Sequence, residues 1–177
     1  NYLSMAKAVA ATKNVIGREA LRNRTFVQAH GTGTPQNRTT ESHILSQIAG
    51  IFGIENWPIA AVKSYLGHSI ASSAGDQLAA TLGSFAHGIL PGILTIDEIA
   101  EDVTQENLDF LLAHRELPLN SIDATIINSK GFGGNNASAS ILAPHIVEKM
   151  LEKRHGANAL KDYKKRNEQV VDKMAAY

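Results

Sequence analysis

The sequence predicts an α/β protein in which short buried strands run into glycine-containing loops and then into helices. Three observations carry this expectation. Thr25 to Ala29 (TFVQA) is a short apolar run that ends at a histidine and glycines, and an amphipathic stretch follows it. Pro58 to Val62 (PIAAV) repeats the arrangement, with KSYLGHS as its loop and a helix of small residues behind it. Ile122 to Asn128 (IDATIIN) and Ala137 to Ala143 (ASASILA), joined by SKGFGGNN, read as a β-hairpin of the core.

The remaining elements follow in chain order. Residues 3–22 mix apolar and basic side chains at helical spacing. From Thr39 to Phe52 the positions Ile44, Leu45, Ile48, Ile51 and Phe52 recur at three and four residues, which predicts an amphipathic helix opened by a threonine cap. Ala71, Ala74, Gly75, Ala79, Ala80 and Gly83 make the helix over Ile70 to Ala86 slim, as a closely packed helix is. Leu90 to Leu119 reads as an irregular surface connection without nameable chemistry. Beyond Pro144 the composition turns charged and helical with a break at Gly156, so a domain over 1–144 and a helical extension over 145–177 are expected.

Composition narrows the function. Lysine plus arginine and aspartate plus glutamate number seventeen each, so no global field favours nucleic acid or a membrane surface. No apolar run approaches the roughly 20 residues that span a bilayer, and a cytoplasmic protein is expected. There is no cysteine, hence no disulfide, no thiolate metal site and no cysteine nucleophile within these residues. GTGTPQ lacks the third glycine of a dinucleotide loop, so no nucleotide cofactor is expected. The basic cluster Lys161, Lys164, Lys165 and Arg166 reads as a solvated helix face.

Of seven histidines, His30 and His68 stand out: each follows a buried strand, touches a glycine and opens a loop that enters a helix. Strand ends of that kind are where open α/β sheets bind ligands. Taken singly, each reads equally as a structural histidine. With Lys63 and Glu41 they form a candidate relay, in which two neutral imidazoles donate to one developing oxyanion while a buried Lys63–Glu41 pair fixes their orientation. A metal would need a third ligand, and none presents itself. GFGG at 131–134 reads either as a hairpin turn needing positive φ or as an oxyanion donor beside a movable ring, Phe132.

Three motifs stand in order: AHGTGTP (29–35), VKSYLGH (62–68) with SSAG (72–75), and NSKGFGGNNA (128–137). Over residues 1–144 the chain resembles the C-terminal half of a β-ketoacyl-acyl-carrier-protein synthase of the thiolase-like superfamily. The resemblance implies a mixed sheet with helices packed on it, half of an α-β-α-β-α enzyme that is a homodimer. It also implies a decarboxylative Claisen condensation of an acyl primer with malonyl-acyl carrier protein in fatty acid biosynthesis, at a Cys-His-His site. His30 and His68 would be the histidines, Lys63 the lysine supporting His68, and Glu41 its acidic partner. Thr32 and Thr34, with Gly131 and Gly133, would meet the phosphopantetheine arm, and Phe132 would gate the site and lend its N–H to the oxyanion hole. Substrates would arrive on acyl carrier protein or as acyl-CoA, with no further cofactor.

The nucleophilic cysteine of that family lies in its N-terminal half, so this chain would supply the His-His half of the site. Two departures stand out: Arg38 replaces a commonly acidic residue, and Lys130 replaces the first phenylalanine of the third motif. They predict an altered primer or carrier preference, towards a short acyl primer on coenzyme A. The alternatives are a non-catalytic subunit of the chain-length-factor type and a carrier-protein-binding domain.

Overall fold

The computed structural model describes residues 1–175. In the unit Asn1–Ala143, the elements are α1 (Tyr2–Asn23, interrupted at Gly17), β1 (Thr25–Gln28), α2 (Pro35–Phe52), β2 (Trp57–Ala60), the single turn α3 (Lys63–Leu66), α4 (Ser73–His87), β3 (Ile89–Leu90), β4 (Leu108–Phe110), β5 (Arg115–Glu116), β6 (Ala124–Lys130) and β7 (Asn136–Leu142). Five strands form one sheet in the order β4-β2-β1-β6-β7. The first four are parallel, and β7 is antiparallel to β6. This is the mixed sheet the resemblance implies.

Alternation along the strands sorts the core onto two faces, since successive side chains of a strand point oppositely. Val27, Ile59 and Ile126 pack with Met5 and Val9 of α1 and with Leu45 and Ile48 of α2. On the other face Phe26 and Ala60 pack with Leu90, Leu111 and Phe85 of α4. Trp57 closes the lower end of the sheet: its indole N–H donates to Thr25 Oγ1 at 3.0 Å, and that hydroxyl donates to Leu21 O at 2.7 Å. One buried chain of hydrogen bonds thus links α1, β1 and β2.

Several boundaries differ from the sequence reading. Helix α2 starts at Pro35, with extended Thr34 at its cap position, not at Thr39. Proline is pre-organised for a first helical position, and the hydroxyl of Thr39 donates to Pro35 O at 2.9 Å inside the helix. The turn PQNR has no apolar residue, so periodicity does not register it. The stretch over 90–119 is less irregular than expected, because Leu108–Phe110 pairs with β2 as the sheet edge and Arg115–Glu116 pairs with Ile89–Leu90. Strands of two and three residues are too short to display a period. The hairpin is as expected, but β6 begins and ends two residues later, running to Lys130 opposite Asn136.

Helix α4 is preceded by a 3-10 turn, Ile70–Ser72, and corrects the expectation of close packing by small residues. Ala74, Gly75 and Ala79 are exposed beside Leu78 and Leu82, and a Cβ at Gly75 or Gly83 would meet nothing within 4 Å. The face turned to the sheet is Ser73, Gln77, Thr81 and Ser84. Gln77 is fully buried, and its Nε2 donates to Gln28 O, Ala29 O and Asn128 O at 3.0, 2.7 and 3.1 Å, joining the C-terminal ends of β1 and β6.

The second unit begins at Pro144 and holds α5 (Pro144–His155) and α6 (Ala157–Met174), separated by Gly156 at φ 85°. Lys164 pairs with Glu148 at 2.8 Å, while Lys161, Lys165 and Arg166 are exposed. No described helix is long and apolar enough to cross a membrane.

Leaving buried acceptors without a donor costs about 1–3 kcal/mol. Gln77→Leu, which keeps the volume and removes the donor, is expected to lower stability by at least about that amount, read as a fall in the urea midpoint. Thr81→Ala, whose hydroxyl bonds only within its own helix, is the control and should shift the midpoint much less.

Candidate functional site

Strands β1 and β2 lie side by side in register, Val27 opposite Ile59 and Gln28 opposite Ala60, so the loops leaving them start at one level. Ala29 N–H donates to Ala60 O at 2.9 Å. Just beyond, Gly31 adopts φ 56° and approaches the second loop so closely that a Cβ there would lie 2.8 Å from Ala61 Cβ. Glycine is therefore required by contact as well as by conformation. This approach brings buried His30 and exposed His68 together, with ring centroids 5.2 Å apart and planes at 81°.

Both rings are held by backbone amides. Lys130 N–H donates to His30 Nδ1 at 3.2 Å, and Ile70 N–H donates to His68 Nδ1 at 3.1 Å. A neutral imidazole that accepts at Nδ1 carries its proton on Nε2. Each ring thus has an N–H to offer. Ile70 takes φ 59°, an outlier for a β-branched residue, in the turn that aims its amide at His68.

Glu41 is buried on α2 and receives four N–H donors. Its Oε1 accepts from His30 N at 2.8 Å and Asn128 Nδ2 at 2.6 Å; its Oε2 accepts from Gly31 N at 2.9 Å and Asn37 Nδ2 at 3.0 Å. The expected Lys63–Glu41 pair is therefore corrected, because the carboxylate already faces donors from the histidine loop, from β6 and from its own helix. Lys63 Nζ is buried without a hydrogen-bond partner among the described residues, and no hydrogen bond joins Lys63 to His68. Burial pushes the Lys63 ammonium below its usual range, partly offset by the charges of Glu41 and Asp76. Its influence falls on His30, whose pKa is lowered to about 4 by burial first and by the Lys63 charge second; Glu41 opposes, and His68 and Lys130 add to the lowering. His30 is neutral at pH 7.

The two rings face a cleft of about 1180 Å³ that is also lined by Lys63, Glu41, Thr32 and Phe132. Thr32 and Thr34 lie on its loop with hydroxyls 3.3 Å apart. Phe132 is 85% exposed in a 3-10 turn that includes Gly133 at φ 75°. Gly131 lines the cleft, but its N–H is taken by Asn135 O at 2.7 Å. Arg38 makes a two-pronged ion pair with Asp102 at 2.8 and 2.9 Å, so this departure ties α2 to the connection after β3. Lys130 Nζ meets Thr40 Oγ1 at 3.2 Å. Among the described residues no cluster of three or more metal-ligating side chains occurs.

Three contributors escaped the sequence reading: Asn37, Gln77 and Asn128. A buried polar side chain needs a partner, so an asparagine ending the apolar run of IDATIIN was the available signal for Asn128. Nothing in the pattern around Asn37 or Gln77 announces them.

A histidine that stays neutral when buried takes up its proton on unfolding, so between its ordinary 6.5 and about 4 the unfolded state binds more protons and stability falls as pH falls. His30 is expected to titrate near 4 by NMR, and His30→Gln should remove that part of the acid slope. Glu41→Gln takes away the charge that raises His30 and puts a donor among donors. It should move the His30 titration still lower and reduce stability by about 2–3 kcal/mol, since bonds to a charged acceptor are the strong ones.

The family described as "Beta-ketoacyl synthase, C-terminal domain" matches residues 4–97. The chain is 49% identical, over its whole length, to β-ketoacyl-[acyl-carrier-protein] synthase FabY of Pseudomonas aeruginosa, of which it covers 28%. The crystal structure of that noncanonical ketosynthase superposes on the whole chain with a TM-score of 0.96. Residues amounting to 64% of the chain are 30% identical to 3-oxoacyl-[acyl-carrier-protein] synthase 1 of Escherichia coli K12, covering 26% of it. The chain thus spans little more than a quarter of the length of these relatives. Its paired histidine loops, its mixed sheet and the match over more than half its residues make it a member of the β-ketoacyl synthase family, carrying that family's C-terminal domain.

Proposed function

We propose that this chain is the histidine half of a 3-oxoacyl-[acyl-carrier-protein] synthase that extends acyl primers by decarboxylative Claisen condensation. The observation that carries the reading is the pair of imidazoles, each held at Nδ1 by a backbone amide and so protonated at Nε2, with ring centroids 5.2 Å apart. When the bond between the α-carbon and the carboxylate of a malonyl thioester breaks, its electron pair passes into an enolate and carbon dioxide leaves. The charge gained by the thioester oxygen is met by the two Nε2–H donors, which stabilise the transition state more than the ground state. The α-carbon then attacks the carbonyl of an acyl group held as a thioester on an enzyme cysteine, and the thiolate departs. That cysteine comes from outside these 177 residues, which contain none. Phe132 gates the cleft and its N–H receives the oxyanion of the second step, while Thr32, Thr34 and Gly133 meet the phosphopantetheine arm delivered by acyl carrier protein or coenzyme A.

A neutral His30 serves this chemistry, because an imidazolium would protonate the enolate it should only stabilise. The exposed Leu78 and Leu82 of α4, set among small residues, suit a covering partner such as the N-terminal half of the same enzyme, in a homodimer. In the complete enzyme, incubation with a short acyl thioester should add one acyl group to the intact mass, and replacing the upstream cysteine should abolish the addition. His30→Ala and His68→Ala should each retain that adduct and slow malonyl decarboxylation by about 10²–10³, the usual effect of losing one oxyanion donor. Carrier binding without adduct or decarboxylation would instead mark a non-catalytic subunit.

A further inference from the structure

Two lysines, Lys63 and Lys130, line the cleft, and its buried carboxylate is already engaged. A carboxylate offers about four lone-pair sites. On Glu41 each oxygen accepts two N–H donors, none from a lysine. Glu98 also lines the cleft but is exposed, and among the described residues no carboxylate pairs with either lysine. The cleft therefore holds two ammonium groups that Glu41 reaches through space but does not bond, beside the neutral ring of His30.

Lys130 is the lysine placed to use that charge. Its backbone is fixed at the end of β6, opposite Asn136, and its own N–H holds His30 Nδ1. Its ammonium extends to α2, where the exposed hydroxyl of Thr40 is its one hydrogen-bond partner among the described residues. A hydroxyl satisfies one of three ammonium donors and none of the charge. Burial lowers the Lys130 pKa, with Glu41 only partly offsetting it. An ammonium so held gains from any anion that enters the cleft.

We propose that Lys130 is a specificity residue that receives an anionic oxygen group, a carboxylate or a phosphate, of the acyl-pantetheine substrate. The inference deepens the reading above and rests on its assignment of a pantetheine thioester to this cleft. The two sources of anion are the free carboxylate of a β-carboxyacyl group and the phosphate at the far end of the pantetheine arm. Either would complete the donor set of Lys130 with a charge-assisted bond, the strong kind.

The test uses four amide-linked, non-reactive analogues bound to the complete enzyme: malonyl and acetyl groups, each on pantetheine and on phosphopantetheine. In the wild type the analogue bearing the recognised anion should bind more tightly than its neutral counterpart. Lys130→Met should erase that preference, a loss of about tenfold to a hundredfold confined to the analogues carrying that anion. Lys130→Arg should keep most of it. A loss that follows malonyl identifies the carboxylate, and one that follows phosphate identifies the phosphate. Lys130→Gln repeats the measurement if the methionine variant does not fold. Equal weakening of all four analogues, or unchanged binding of all four, overturns the proposal. Binding is read without turnover, so the two readings separate. An enzyme that forms no acyl adduct yet loses anion preference in Lys130→Met sinks the condensation and keeps the receptor; one that condenses normally with its preference unmoved does the reverse.

Discussion

A single carboxylate holds this site together. Glu41 lies at the buried side of α2 and gathers N–H donors from the loop after β1, from the last buried residue of β6 and from its own helix. The farthest of these donors in the chain, Asn128, lies 87 residues from Glu41. The loop at His30 must leave its strand, turn at Gly31 against Ala61 and still satisfy two backbone donors away from water, where an unsatisfied amide costs about as much as a lost hydrogen bond. Glu41 meets both. Gln77 does the complementary work from the opposite face of the sheet, supplying a donor to carbonyls at the same strand ends. Acceptors without donors and donors without acceptors are thus resolved by one residue from each flanking helix.

That arrangement also governs the charge of the site. With Glu41 engaged by neutral N–H groups, its charge is shared at a distance between His30, Lys63 and Lys130, all of which it raises. Burial wins over it in each case. The result is a neutral imidazole flanked by ammonium groups that pair with no carboxylate among the described residues. A site of this kind suits donation of hydrogen bonds to oxygen that carries or acquires negative charge.

The surfaces that the fold leaves open are as informative as those it closes. Polar Ser73, Gln77 and Thr81 of α4 face the sheet, while Ala74, Gly75, Leu78, Ala79 and Leu82 face outward. This inverts the usual order of an amphipathic helix. A helix whose apolar and smallest side lies in solvent accords with a chain that spans little more than a quarter of its relatives.

Much of this molecule was legible in the residues. The strands of TFVQA and PIAAV, the hairpin ending in GFGG, and the likeness of their two histidine loops follow from apolar runs that end in glycine, because buried strands and tight turns restrict composition strongly. Pairing of His30 with His68 was readable for the same reason: each histidine follows its strand at a loop that needs glycine. What the sequence could not decide were the partners. Opposite charges suggested a bond between Lys63 and Glu41, but a carboxylate bonds whichever donors the fold brings nearest, and here these were amides from β6 and the histidine loop. The tautomers of both rings, the role of Gln77, the binding of Arg38 to Asp102 and the unpaired state of Lys130 likewise depend on contacts between residues far apart in the chain. Local pattern determined which segments would be strand, turn and helix; only the packed sheet determined which polar groups would find each other, since hydrogen-bond partnership is set by distance in space and leaves no period in the sequence.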